Sequence, residues 1–322
     1  MNNKSFDFKK FASNYSVVIA FSILFLLSFL LNGTKFLNTR NILNLFLNYS
    51  IIGIIALGMT LIIITGGIDL SVGSQLAASG LLAITVFNLT GNIIYTVIST
   101  ILFGIASGFL TGILIAKWKI PAFIVTLGTM NIYRSVSQYF FNGGGVKVTG
   151  DTKDIFIGIS NFRIGGSISI IIIYWIILTV LVAVFSSKTA KGRHIYAVGS
   201  NEKATILSGI NAEKIKILTY IISGVLVAIA SVIEASRLGS MNSASSGSSY
   251  EMDAIAAVVI GGTAMSGGRG SISGTFLGTL TLGLINNMMN LLGVPAFLVD
   301  AIKGGIIIGA VFLQKYFNVE KE

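Results

Sequence analysis

The chain has no cysteine, one histidine and two prolines among 322 residues. Without cysteine there is no disulfide framework, no thiolate metal site and no cysteine nucleophile. One histidine, His194, cannot build a poly-histidine metal centre. No Ser-His-acid set, paired-carboxylate site or H-E-x-x-H accompanies it. Charge is also scarce: Asp, Glu, Lys and Arg supply 11% of the residues, hydrophobic types 53%, and the mean hydropathy is +0.86. Soluble domains carry about 25% charged residues. So little polarity excludes a soluble globular surface, and so much apolar content excludes disorder. What the chain has in excess is glycine, 37 residues, and long apolar runs.

A membrane helix needs about 20 mostly apolar residues. Such segments fall near 15–32, 48–65, 71–87, 93–116, 122–141, 167–186, 215–236, 252–266, 272–292 and 296–314. Continuous runs of this length argue against the short alternating segments of a β-barrel. The pattern predicts an all-α membrane protein, a polytopic bundle of about ten transmembrane helices forming one domain over 1–322. Lys4, Lys9 and Lys10 precede the first run as in a signal peptide. No small-residue cleavage site follows, so the run is read as a retained span.

Lysine and arginine in short loops mark the cytoplasmic side. With a cytoplasmic N-terminus and ten alternating spans, fourteen of the 22 fall inside, seven outside, and Lys303 within a span. The formal net charge of +10 is therefore a topology signal. There is no basic stripe, so no nucleic-acid partner is implied. Both termini come out cytoplasmic. Residues 142–166 form a long outer loop and 187–214 a long inner loop of dense mixed charge.

No G-x-x-x-x-G-K-[ST] is present, so ATP, if used, binds to another chain. The run from Gly267 to Gly274 misses G-x-G-x-x-G because Ser273 stands at the third glycine. In Thr65–Ser74, Gly66 and Gly67 stop a helix, and Asp69 or Ser71 can cap the next one. Two readings stand for Asp69: a capping residue at a cytoplasmic turn, or a direct part in gating. The segment 261–274 repeats this design, and Gly267, Gly268 and Gly274 share the spacing of Gly66, Gly67 and Gly73. Gly66, Gly67, Gly267 and Gly268 are thus the expected helix breaks. Gly104, Gly108 and Gly112, like Gly274 and Gly278, have the spacing of close helix packing. Asn286, Asn287 and Asn290 lie inside the ninth segment, as interhelical hydrogen-bonding groups or as a polar path. Together with Asp69, Ser71 and Ser74 they are the candidate path or gate. Glu234 with Arg237, and Asp300 with Lys303, are spaced to pair along a helix, whereas Arg134 has no partner at helical spacing.

The inner loop reads Gly192-Arg193-His194-Ile195-Tyr196-Ala197-Val198-Gly199-Ser200-Asn201-Glu202-Lys203-Ala204, then Ser208-Gly209-Ile210. This resembles the ATPase-coupling loop of permease subunits in ribose-type ATP-binding-cassette importers, the family of ribose, xylose, arabinose and galactoside permeases. Gly67-Ile68-Asp69-Leu70-Ser71-Val72-Gly73-Ser74, Ile255–Thr263 with Gly267–Gly270, and Asn286–Val294 are similar to the same family. The resemblance covers about residues 40–313, and its ribose carriers look most alike. Relatives often have serine where Gly66 stands, and 142–166 matches poorly.

The resemblance implies a type II importer-like fold and a subunit that is not an enzyme. It implies a second copy of the permease in the lipid bilayer, and a cytoplasmic ATPase, often a tandem fusion, that holds ATP and Mg. It further implies an extracytoplasmic sugar-binding protein and placement in the bacterial cytoplasmic membrane. The cofactors then reside in the partner chain and none in this one. Gly192, Arg193, Tyr196, Ala197, Gly199, Asn201, Glu202, Ala204, Ser208, Gly209 and Ile210 become the implied coupling residues. The ligand is implied to be a monosaccharide, ribose first. Another pentose, a hexose or a furanone-like signal stays open, as does an ion-coupled secondary transporter of a small polar solute.

Overall fold

The computed structural model describes residues 16–319. Lys4, Lys9, Lys10 and Lys321, used above for orientation, lie outside them. Ten helices coincide with the ten apolar segments: α1 (Ser16–Asn32), α3 (Thr39–Ile64), α4 (Val72–Thr90), α5 (Ile93–Ala116), α6 (Ala122–Phe140), α8 (Ile170–Lys188), α11 (Ala212–Leu238), α12 (Tyr250–Ile260), α13 (Ile272–Leu291) and α14 (Ala296–Val319). Four shorter ones lie between them: α2 (Thr34–Leu37), α7 (Lys153–Asn161), α9 (Ala190–Ser200) and α10 (Glu202–Leu207). Five helices, α3, α4, α5, α8 and α11, are long and apolar enough to cross a membrane.

Helix α3 is the central post. Its residues from Tyr49 to Ile64 are buried without interruption, as expected of a helix apolar on every side. Helices α8, α11, α12 and α13 pack around it. Thr60 Oγ1 and Thr275 Oγ1, 2.6 Å apart, join α3 to α13. Helix α5 lies against α11 along the small-residue face expected from sequence. A Cβ at Gly108 would sit 2.8 Å from Ile221 Cα, and one at Gly112 would sit 2.9 Å from Ile217 Cα. Only glycine permits that backbone approach.

The eighth apolar segment is not a full span. Helix α12 has eleven residues, a rise of about 16 Å, roughly half the hydrocarbon thickness. Non-helical chain, residues 243–249, precedes it. The 142–166 segment is built rather than loose. Strand β1 (Gly145–Lys147) pairs antiparallel with β4 (Ser240–Asn242), at the end of α11. A hairpin of β2 (Arg163–Ile164) and β3 (Ile168–Ser169) leads into α8. Between them Phe156 of α7 is fully buried, its ring 4.8 Å from that of Phe87.

Candidate functional site

The inner loop folds as two short helices whose ends are set by its own side chains. Thr189 caps α9, its Oγ1 accepting from Gly192 N at 3.0 Å. Asn201 ends α9 and caps α10, accepting from Ala204 N at 2.9 Å. Gly209, at φ 81°, closes α10 in the left-handed conformation. Asn211 then caps α11, accepting from Lys214 N at 2.9 Å. Lys216 and Glu202, 2.7 Å apart, bridge α11 to α10.

The outward surface of this element is free. Arg193, Asn201, Glu202, Ala204, Ser208 and Gly209 are exposed, and Tyr196, Ala197 and Ile210 partly so. The most prominent group there is one that sequence reasoning passed over: Leu207 is 89% exposed, with Ile206 beside it at 53%. Neither residue is singled out by the family pattern or by hydrophobic periodicity.

The inward surface grips both helix breaks. Gly199 faces the last carbonyl of α3, Ile64 O, so closely that a Cβ would overlap it, and that Cβ would lie 2.7 Å from Gly268 N. Gly268 N itself donates to Ile64 O at 2.9 Å. Tyr196 Oη donates to Gly270 O at 3.2 Å. Burial in this junction raises the Tyr196 phenol above its ordinary pKa. Three segments distant in sequence thus meet at one point: the end of α3, the end of α9 and the 261–271 connection.

The breaks themselves are Schellman-type ends. After α3, Gly66 N donates to Ile63 O and Gly67 N to Ile62 O, with Gly66 at φ 80°. After α12, Gly262 N donates to Val259 O and Thr263 N to Val258 O, with Gly262 at φ 84°. The equivalent of Gly66 is therefore Gly262. The second helix stops before Gly267 and Gly268, contrary to the spacing argument, because Gly262 already supplies the left-handed residue. Gly267 and Gly268 lie within the connection at φ 85° and 73° and shape its contact with Gly199 and Ser200.

Asp69 is 4% exposed. Its Oδ1 accepts from Ser71 N at 2.8 Å and from Ser71 Oγ at 2.6 Å. Burial pushes the Asp69 carboxyl up, and the two Ser71 bonds pull it back. Ser71 occupies the cap position of α4 but its side chain makes no capping bond, being committed to Asp69. Ser74 Oγ donates to Ser71 O at 2.9 Å, and Tyr220 Oη to Ile68 O at 3.3 Å. The carboxylate therefore organises the turn between α3 and α4.

The asparagines are not part of this junction. Asn287 and Asn41 exchange amide hydrogen bonds of 3.1 and 2.8 Å, tying α13 to α3. Asn287 lies fifteen positions beyond Ile272, about 22 Å along α13 from the break. Asn286 is partly buried and Asn290 exposed.

Of the sequence-spaced ion pairs, Asp300 with Lys303 forms and gains a third member, whereas Glu234 and Arg237 each bond elsewhere. Lys303 lies 3.2 Å from Asp253 and 3.8 Å from Asp300. Glu234 Oε1 accepts from Tyr250 Oη at 3.4 Å, and Arg237 donates to Asn48 Oδ1 at 2.7 Å. Arg134 donates through Nη1 to Ser243 O at 3.0 Å and Ser246 O at 2.9 Å. Gln75 Nε2 donates to Ser107 Oγ at 2.6 Å. Apart from Asp300, these partners come from other elements, and no spacing along one helix announces them.

Comparison with known proteins agrees with this architecture. A family described as the permease component of the branched-chain amino acid transport system matches residues 41–311. The ribose import permease protein RbsC of Escherichia coli strain K12 is 42% identical over 284 residues, 87% of each chain. Its counterpart from Haemophilus influenzae is 39% identical over 327 residues, 100% of this chain and 99% of its own. The L-arabinose ABC transporter permease protein AraH of Azospirillum brasilense is 34% identical, over 93% of this chain and 87% of its own. No solved structure matches. With residues 41–311 covered by the match, the chain belongs to the family of branched-chain amino acid transport system permease components, as a multi-pass membrane protein.

Proposed function

We propose that the chain is the permease subunit of an ATP-binding-cassette importer that carries ribose into the cell. The observation that carries this reading is the 42% identity to a ribose import permease along 87% of both chains. The inner-loop helices give it a mechanical basis. Their exposed surface, with Leu207 and Ile206 projecting among Asn201, Glu202 and Ser208, suits a cleft on a cytoplasmic ATPase. Their inner surface touches the ends of α3 and the 261–271 connection. Movement of α9 would reach both helix breaks at once.

In this reading ATP and Mg are held by the ATPase, often a tandem fusion, and two copies of the permease form the pore. All ten segments cross the bilayer, the eighth by half-helix plus extended chain, with both termini cytoplasmic. An extracytoplasmic binding protein delivers the sugar on the side of α7 and the β1–β4 pair. A bound nucleotide can bias such a machine only by preferring one of its states.

The test is uptake of labelled ribose by liposomes holding the permease, its ATPase and its binding protein. Accumulation that needs ATP and the binding protein is expected. Ribose accumulation driven by an ion gradient with the ATPase left out would overturn the reading. Uptake of a different sugar alone would replace ribose and keep the class.

A further inference from the structure

Helix α6 has nineteen residues but is not among the five helices apolar enough to cross a membrane unaided. Only Val125, Thr126 and Ser137 of it are buried. Its outward surface is divided. Asn131, Ser135 and Gln138, spaced by four and three residues, form one exposed stripe, which Gly128 extends by a turn. Ile132, Val136 and Tyr139, exposed by 57%, 48% and 80%, form a parallel apolar stripe. The Asn131 amide bonds only to its own helix, at Leu127 O. No hydrogen bond ties Ser135 or Gln138 to another element among the described residues. Polar groups without partners do not face hydrocarbon.

Arg134 belongs to the edge of the polar stripe, three residues after Asn131 and four before Gln138. Its two bonds to Ser243 O and Ser246 O hold residues 243–249 beside that stripe. In the import reading above, these residues are the non-helical chain that completes the eighth crossing. Ala244, Ser245, Ser248 and Ser249 within it are exposed. Irregular backbone at membrane depth persists only when buried in protein or lining water. The exposed members of this segment and the α6 stripe therefore require the same thing, an aqueous space. Their chemistry is neutral amide, hydroxyl and peptide, which can hydrogen-bond a polyhydroxylated solute without holding it as a charge pair would.

We propose that Asn131, Ser135 and Gln138 of α6, with the serine-rich segment 243–249, line the water-filled path through which the sugar moves. Arg134 is a positioning residue, holding the segment against α6. The proposal rests on the import function above and extends it to a specific wall.

The absence of native cysteine makes the test direct. Single cysteines are placed at Asn131, Ser135, Gln138 and Ser245, with Ile132→Cys and Val136→Cys as controls on the apolar stripe. Full transporter complexes in liposomes are treated with a membrane-impermeant, positively charged thiosulfonate. The first four are expected to react at least about tenfold faster than the controls, because only a hydrated thiol forms the reactive thiolate. Their modification should block ribose uptake. Arg134→Gln should change the rate at Ser245→Cys while leaving that at Asn131→Cys near its original value.

Slow reaction at all four positions, at rates no greater than those of the Ile132→Cys and Val136→Cys controls, would overturn the proposal. An unchanged Ser245→Cys rate in Arg134→Gln would remove the positioning role. The unsubstituted complex in the same liposomes tests the import reading separately. If it takes up ribose with ATP while the stripe is unreactive, only the present inference fails.

Discussion

Gly199→Ala adds one methyl group at the junction of α9, α3 and the 261–271 connection. Its Cβ would overlap Ile64 O and stand 2.7 Å from Gly268 N. Both are backbone atoms, one at the end of α3 and one in the 261–271 connection, so neither can yield as a flexible side chain would. Overpacking of this kind costs about 1–3 kcal/mol. Parting Gly268 N from Ile64 O adds about 0.5–1.5 kcal/mol. Alanine returns up to about 1 kcal/mol of helix propensity in the last turn of α9. The net expectation is a loss of about 0.5–4.5 kcal/mol, together with displacement of α9 from both breaks. The control is Gly158→Ala in α7, a helical glycine with nothing within 4 Å of the added carbon, where the same substitution should be neutral or slightly stabilising. The measurements are the melting temperature of the purified complex, by intrinsic fluorescence, and ATP-driven ribose uptake. Gly199→Ala should melt several degrees lower, and its uptake should fall more than its ATPase rate. If it melts and transports like the unsubstituted protein while Gly158→Ala behaves as expected, the junction carries no coupling.

Other outcomes follow from the same contacts. Leu207→Glu should leave stability within about 0.5 kcal/mol, as for other surface changes, yet weaken co-purification of the ATPase; normal assembly would remove Leu207 from the docking surface. Asp69→Asn, whose carbonyl oxygen can still accept from Ser71, should keep most uptake, whereas Asp69→Ala should lower stability by about 1–3 kcal/mol; abolished uptake in Asp69→Asn would show that the charge itself matters. Lys303→Met leaves the Asp253 carboxylate without its 3.2 Å partner and should cost about 3 kcal/mol, partly recovered in Lys303→Met with Asp253→Leu; no recovery, measured by thermal unfolding in detergent, would argue against the pair.

Much of this was readable in one dimension. Apolar runs of bilayer length located ten helices, because a chain in lipid must satisfy its backbone within each segment. Gly66 was legible as a helix end, since a left-handed residue there all but requires glycine. The repeat was legible in kind but misplaced in register: Gly267 and Gly268 matched the spacing of Gly66 and Gly67, while Gly262 performs the capping. With 37 glycines in the chain, spacing alone could not choose between them. The inner-loop caps at Asn201 and Asn211 are local chemistry, and the segment carrying them was picked out from sequence. Lys303 was a harder case. Its helical spacing pointed to Asp300, but the closer carboxylate is on α12, fifty positions away.

The sequence by itself determined that the protein lives in a membrane, where its apolar helices fall and which segments carry the basic charge. These are properties of local hydropathy, charge and capping, written within a few turns of chain. Only the tertiary structure decided that Gly199, Ile64 and Gly268 share one contact, that the eighth apolar segment is helical over eleven residues alone, and that Arg134 holds the serine-rich segment beside a polar stripe. Those facts depend on which elements pack together. Scarcity of charge, cysteine and histidine could exclude chemistry, but the meeting of residues distant in sequence is set by helix packing, which no local pattern records.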